Sequence, residues 1–182
     1  MESNKYVDQL KTIYIALHGY ANNVLSDLNP VQYNWRPPDT KARTIESYFR
    51  HMVNTEIYWL HALKTHKIPY FTKDTSFSEL LEHFKHLEVI YGKLLDNCTE
   101  EGLEIVPTIY EKDKGEIIAV KQKGTLAWTI LRISLHAFGH MSQITHMIYS
   151  LGIKLKRNSD YNWWNTTENI INLGKLISME RK

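Results

Sequence analysis

The sequence predicts a mainly α chain, a four-helix bundle with a small hairpin insertion and a short C-terminal helix. Three observations predict it. Four long segments place apolar residues at three- and four-residue steps, the spacing that lays one apolar stripe along a helix. Their borders carry capping residues, prolines and a terminal glycine where helices start and stop. A single stretch, residues 104–124, switches to β-prone runs on either side of a turn. For 182 residues, packing the four stripes together around one core is the simplest way to bury them all, and residues 1–182 are expected to form one domain.

The first helix is expected from Lys5 to about Leu28, with Leu10, Ile13, Tyr14, Leu17, Ala21, Val24 and Leu28 on its stripe. Asn29-Pro30, an N-cap followed by proline at the first helical position, suggests a short extra turn before the Trp35-Arg36-Pro37-Pro38 loop. The second helix runs from about Thr44 to Thr65, with Ile45, Tyr48, Phe49, Met52, Val53, Trp59, Leu60 and Leu63 as its apolar surface and Pro69 beyond its end. Ser76-Phe77-Ser78-Glu79 is a capping-box pattern, in which the serine hydroxyl and the glutamate each satisfy an orphan backbone donor. It opens a third helix that reaches about Leu95.

Ile105-Val106-Pro107 and Ile117-Ile118-Ala119-Val120 flank Asp113-Lys114-Gly115, which reads as a surface hairpin. The fourth helix starts at a Thr125 cap, ends at Leu151 with Gly152 as its stop, and is apolar nearly all round, as expected for the most buried helix of a bundle. After an irregular tail, Asn165-Thr166-Thr167-Glu168 starts a short fifth helix to about Ile177.

Composition excludes several functions. Hydrophobic residues make up 43% and charged residues 23%, which separates the chain from disordered sequences. The formal charge is +2 with Lys and Arg scattered, so no basic block offers itself to nucleic acid. Cys98 is the only cysteine, so there is no internal disulfide and no cysteine-based zinc cluster. The sequence shows neither a secretion signal nor a membrane-length apolar run, and the expected location is the cytoplasm. The Asn97-Cys98-Thr99 sequon is then a chance match.

Nine histidines are present. His136 and His140 stand one turn apart on the fourth helix, within ~40° of each other, so both imidazoles can reach one ion. Thr129, Arg132 and Gln143 lie on the same stripe. Burying such a polar strip without partners would cost several kcal/mol, roughly, which calls for hydrogen bonds or a function. Spacing alone also fits two satisfied core or surface histidines. A third ligand must come from another helix, and His51 is the best candidate, beside Tyr48 and on a stripe with Ser47, Thr55 and Tyr58; the alternative is a surface histidine following Arg50. His61, His66, His83 and His86 read as solvated, His18 fits either face of its helix, and His146 falls off the stripe.

Residues 28–60 (LNPVQYNWRPPDTKARTIESYFRHMVNTEIYWL) and 135–152 (LHAFGHMSQITHMIYSLG) resemble the DinB/YfiT-like superfamily of metal-binding helical bundles. There a phrase like l-x-W-r-P precedes a helix with the first histidine, and a late helix carries H-x-x-x-H followed by arginine, glycine and glutamine. Here Trp35-Arg36-Pro37 precedes His51, His136 and His140 form the pair, and Gln143 takes the glutamine place, while Met141 and Ser142 stand where arginine and glycine are usual.

The resemblance implies a four-helix bundle of DinB-like topology, often dimeric, that holds one divalent ion, Zn or Ni, through His51, His136 and His140, with Gln143 beside the ligands. Several relatives are thiol-dependent enzymes using bacillithiol or mycothiol, and one is a maleylpyruvate isomerase. The expected function is therefore a metal-dependent S-transferase that brings a low-molecular-weight thiol to a small electrophilic substrate. A metal-dependent hydrolase and a non-catalytic metal-binding or interaction bundle are the alternatives. Arg132 could pair with a substrate carboxylate or form a rim salt bridge, and Tyr58 could donate a hydrogen bond or simply pack. No nucleic acid or membrane partner is expected; a homodimer is, the Trp163-Trp164 pair being a candidate contact or else a cover for the bundle's end.

Overall fold

The apolar stripes form the expected helices and close on one another. The computed structural model describes residues 5–38, 40–63, 68–106, 108–113, 116–121 and 124–155. Within them lie helices α1 (Lys5–Ser26), α2 (Pro30–Tyr33), α3 (Ile45–Ala62), α4 (Phe77–Asp96) and α5 (Glu100–Leu103), strands β1 (Thr108–Asp113) and β2 (Glu116–Lys121), and helix α6 (Leu126–Ser150). The expected short fifth helix from Asn165 and the Trp163-Trp164 pair lie outside the described residues.

Local chemistry sets the borders. Asn29 and Ser76 each close a capping box, with Gln32 and Glu79 reaching back to the cap backbone. Thr44 and Thr125 cap α3 and α6 by accepting from Ser47 N–H and Trp128 N–H. Such caps are worth about 1 kcal/mol each. Gly152 follows α6 at φ 75°, the left-handed conformation that glycine adopts without steric cost. The one-turn α5 was not expected; Thr99, whose hydroxyl accepts from Gly102 N–H, starts it.

In the hairpin, β1 and β2 pair antiparallel from Thr108↔Lys121 to Asp113↔Glu116. The side of α3 carries its first strand. The hairpin thus decorates a helical fold.

The four long helices form a ring in which α1 and α3 each pack on both α4 and α6. Ring contacts give the directions. Tyr14 meets Tyr91 and His18 meets Phe84, so α1 and α4 are antiparallel. Phe49 meets both Phe77 and Phe84, and Tyr91 hydroxyl donates to the Glu56 carbonyl, so α3 and α4 are parallel neighbours. His51 meets His136 and His140 while Trp59 meets Trp128, so α3 and α6 are antiparallel.

Parallel neighbours require a connection as long as the helix. Fully extended, the 63–76 segment can cover at most about 50 Å, against about 27 Å for α3. Asn54 anchors it to α3: its amide donates to the Phe71 carbonyl at 2.9 Å and accepts from Phe71 N–H at 2.8 Å.

The core holds Tyr14, Phe49, Met52, Phe84, Leu87, Tyr91, Met141 and Ile144, all at most 1% exposed. It also holds a polar knot. Glu56 is 1% exposed, and its carboxylate accepts from Tyr14 Oη at 2.6 Å and from His18 Nε2 at 3.0 Å. Burial first, then the Glu56 charge, raise the Tyr14 pKa well above the usual phenol value, so Tyr14 is the donor.

Two expectations need correction. α6 is not apolar all round in its environment: Trp128, Arg132, Leu135, Gln143, His146 and Tyr149 are exposed. It packs on α1 and α3 with α4 diagonal to it, so one side faces outward. His61 is not a simple solvated residue either. It is half-buried, with Nε2 2.7 Å from the Ile68 carbonyl where the crossover leaves α3. His66 lies outside the described residues. No helix among those described is long and apolar enough to cross a membrane.

Candidate metal centre

The antiparallel pairing of α3 with α6 sets the register that brings three histidines together. His51 sits two turns into α3, and His136 and His140 occupy successive turns near the middle of α6. Each offers one ring nitrogen, and the three nitrogens lie within 4.8 Å of one another. All three rings are half-buried.

His136 Nε2 is 3.2 Å from His51 Nε2 and 3.1 Å from His140 Nε2. Ring pairs meet edge to face, with interplanar angles of 69°, 80° and 87°, so the nitrogens converge and the ring faces do not stack. Gln143 decides one tautomer. Its Oε1 accepts from His140 Nδ1–H at 2.8 Å, which leaves His140 Nε2 as a lone pair directed at His136.

These contacts test whether the residues fit a cation. A ring nitrogen carries either one proton or one lone pair, so His136 Nε2 cannot satisfy two neighbouring nitrogens well by hydrogen bonding alone. A cation among three lone pairs satisfies all of them. Nitrogens bound at about 2.0–2.1 Å to one tetrahedral ion stand about 3.3 Å apart, close to the two separations seen here. The donor set fits a divalent ion that accepts imidazole, and it offers neither a carboxylate nor a thiolate.

Burial and neighbouring charge favour the neutral form of His136 and His51. Burial, followed by the charges of His140, His51 and Arg132, lowers the His136 pKa to about 4. Burial, then His140 and Arg43, lowers His51. Neutral imidazole is the form that binds metal.

Residues 16–144 match the sequence model of the DinB superfamily, a span that encloses all three histidines. The chain belongs to the DinB superfamily. Among solved structures, a conserved protein from Enterococcus faecalis is similar at 13% identity and a TM-score of 0.43, over 82% of this chain and 99% of that one. No curated protein matches the chain.

In this DinB-superfamily chain the other singled-out residues take different places. Gln143 is exposed and bonded to His140, while the Tyr48 ring tilts against His140 with centroids 5.4 Å apart. Arg132 is exposed one turn before His136, its guanidinium 5.5 Å from the Trp128 ring. Tyr58, half-buried, lies two turns past His51 with its ring edge-on to Trp59 at 5.3 Å. Thr129 is buried, its hydroxyl donating to the Thr125 carbonyl. Thr55 donates to the His51 carbonyl at 2.8 Å.

Sequence reasoning missed Arg43, whose position before the α3 cap carries no motif. It also missed Glu56, though a signal existed: a carboxylate stands four residues from both Met52 and Leu60 on a core stripe.

Proposed function

We propose that His51, His136 and His140 hold one divalent ion, Zn or Ni, and that the loaded site activates a low-molecular-weight thiol for transfer to a small electrophile. The convergence of three ring nitrogens from two antiparallel helices, one of them oriented by Gln143, carries this reading. A divalent ion bound by three neutral imidazoles keeps its charge and an open position, and lowers the pKa of a bound thiol or water toward neutrality.

The chain's own groups supply binding and orientation. Gln143 fixes the His140 tautomer by accepting from Nδ1–H, as partners behind a histidine ligand commonly do. Tyr48 walls one side of the cluster and limits how the ring can turn. Arg132, one turn along α6, receives a polar part of the thiol or electrophile and aligns it with the cluster.

Conjugation assays test the activity. Metal-loaded protein is expected to accelerate addition of a cellular thiol to a model electrophile, and chelation to abolish that acceleration. No acceleration across bacillithiol, mycothiol, glutathione and coenzyme A, with metal verified as bound, would overturn the transferase reading. The proposal includes cytoplasmic placement, and it includes self-association on the strength of the superfamily resemblance; a monomer mass by light scattering would remove the latter.

A further inference from the structure

Beside the histidine cluster, α6 carries a cation set in a fixed seat. The guanidinium of Arg132 lies 5.5 Å from the centroid of the Trp128 ring, one turn earlier. The indole is itself held. Its edge-to-face partner is Trp59 of α3, with ring centroids 6.1 Å apart and an interplanar angle of 80°. It also lies against Gly124, where a Cβ would stand only 2.4 Å from the ring. A residue with any side chain at 124 would have to push the indole away, so the glycine makes the seat.

Neither α6 nor α3 offers a carboxylate to this cation. α6 contains no Asp or Glu. On α3, Glu46 pairs with Arg50 and Glu56 is buried against Tyr14 and His18. Among the described residues Arg132 makes no ion pair, and it is exposed. A guanidinium held over an aromatic face at cation–π distance keeps N–H groups available for an oxyanion and loses little freedom on binding it.

Arg132 and His136 are one helical turn apart, which puts their Cβ atoms about 5–6 Å from each other. A small molecule can therefore touch both sites at once. We propose that the site selects small anionic molecules, and that Arg132, seated on Trp128 over Gly124, receives the carboxylate or other oxyanion of a molecule whose second polar atom reaches the histidine cluster. This deepens the metal-site reading and rests on it for the second contact.

Three thiols of similar size and different charge separate the contributions: 3-mercaptopropionate, 2-mercaptoethanol and cysteamine. Their binding to cobalt-loaded protein is read from thiolate-to-cobalt charge-transfer absorption. The anionic thiol is expected to bind about tenfold more tightly than the neutral one, with the cationic thiol weakest. Arg132→Ala is expected to bring all three within about twofold while cobalt content stays the same. Gly124→Ala is the sharper variant: it changes no charge but displaces the indole, and it is expected to lose most of the preference. Phosphonate-bearing thiols in the same assay show whether carboxylate or phosphate-type oxyanions are favoured.

Equal binding of the three thiols, or a preference untouched by both variants, would overturn the proposal. Failure to take up cobalt would instead strike the metal reading. In that event tryptophan emission of the metal-free protein decides the inference: titration with 3-mercaptopropionate is expected to change emission saturably in the wild type and not in Arg132→Ala. No saturable change in the wild type would overturn it.

Discussion

Gln143 illustrates how a single exposed residue can set the tautomer of a clustered histidine. Its only described bond goes to His140 Nδ1, and that bond holds the ring's other nitrogen ready to ligate. Gln143→Ala is expected to weaken metal affinity by about 10–100-fold with little change in fold stability, because partners behind histidine ligands typically contribute that much. Competition titration against a chelator checks it; unchanged affinity would place Gln143 outside the site. pH acts on the same residues. The His136 pKa is lowered to about 4 by burial and neighbouring charge, whereas the unfolded chain binds this proton near the usual histidine value. The unfolded state therefore takes up more protons between those two values. Stability contributed here is intact above about pH 6.5 and is lost as pH falls toward about 4. Denaturant unfolding of metal-free protein from pH 7 to pH 4.5 is expected to show this decline, and His136→Gln to reduce it. Residue identities in the cluster were legible in the sequence because helical spacing pairs His136 with His140. His51 required a second helix, and spacing could not choose its partner.

Among the elements, α3 is held on two sides by different chemistry. One side presents His51 to α6, and the other buries Glu56 under hydrogen bonds from Tyr14 and His18 of α1. Tyr91 of α4 adds a hydrogen bond to the Glu56 carbonyl at 2.8 Å. One residue therefore ties three helices together. Glu56→Ala is expected to destabilise the fold by about 3–5 kcal/mol, since it removes the acceptor and leaves buried donors unpaired. Urea unfolding monitored by circular dichroism measures this. A loss under 1 kcal/mol, roughly, would mean that the buried polar knot is incidental. Helix borders were legible because caps are local: Thr44, Ser76, Thr125 and Gly152 all stand where their side chains or backbone demand. The outward side of α6 was not. Trp128, Leu135 and Tyr149 have core-like chemistry, and only the packing of neighbouring helices determines that they are exposed.

For the whole molecule, the ring order α1, α4, α3, α6 makes α3 and α4 parallel and sets α6 antiparallel against α3. Periodicity cannot give that order, because four amphipathic stripes can close around a core in several ways; the likeness to a known superfamily named a type of bundle, and the order of its helices emerges only from the packing. The order matters for chemistry, since a shift of one turn between α3 and α6 would separate His51 from the histidine pair. The central claim is that this register builds a metal site, and elemental analysis of purified protein tests it most directly. Wild type is expected to hold about one divalent ion per chain. His51→Ala, His136→Ala and His140→Ala are each expected to lose most of it, while His146→Ala, exposed on the same helix as the pair, retains it. Equal metal in all five proteins would contradict the three-histidine centre.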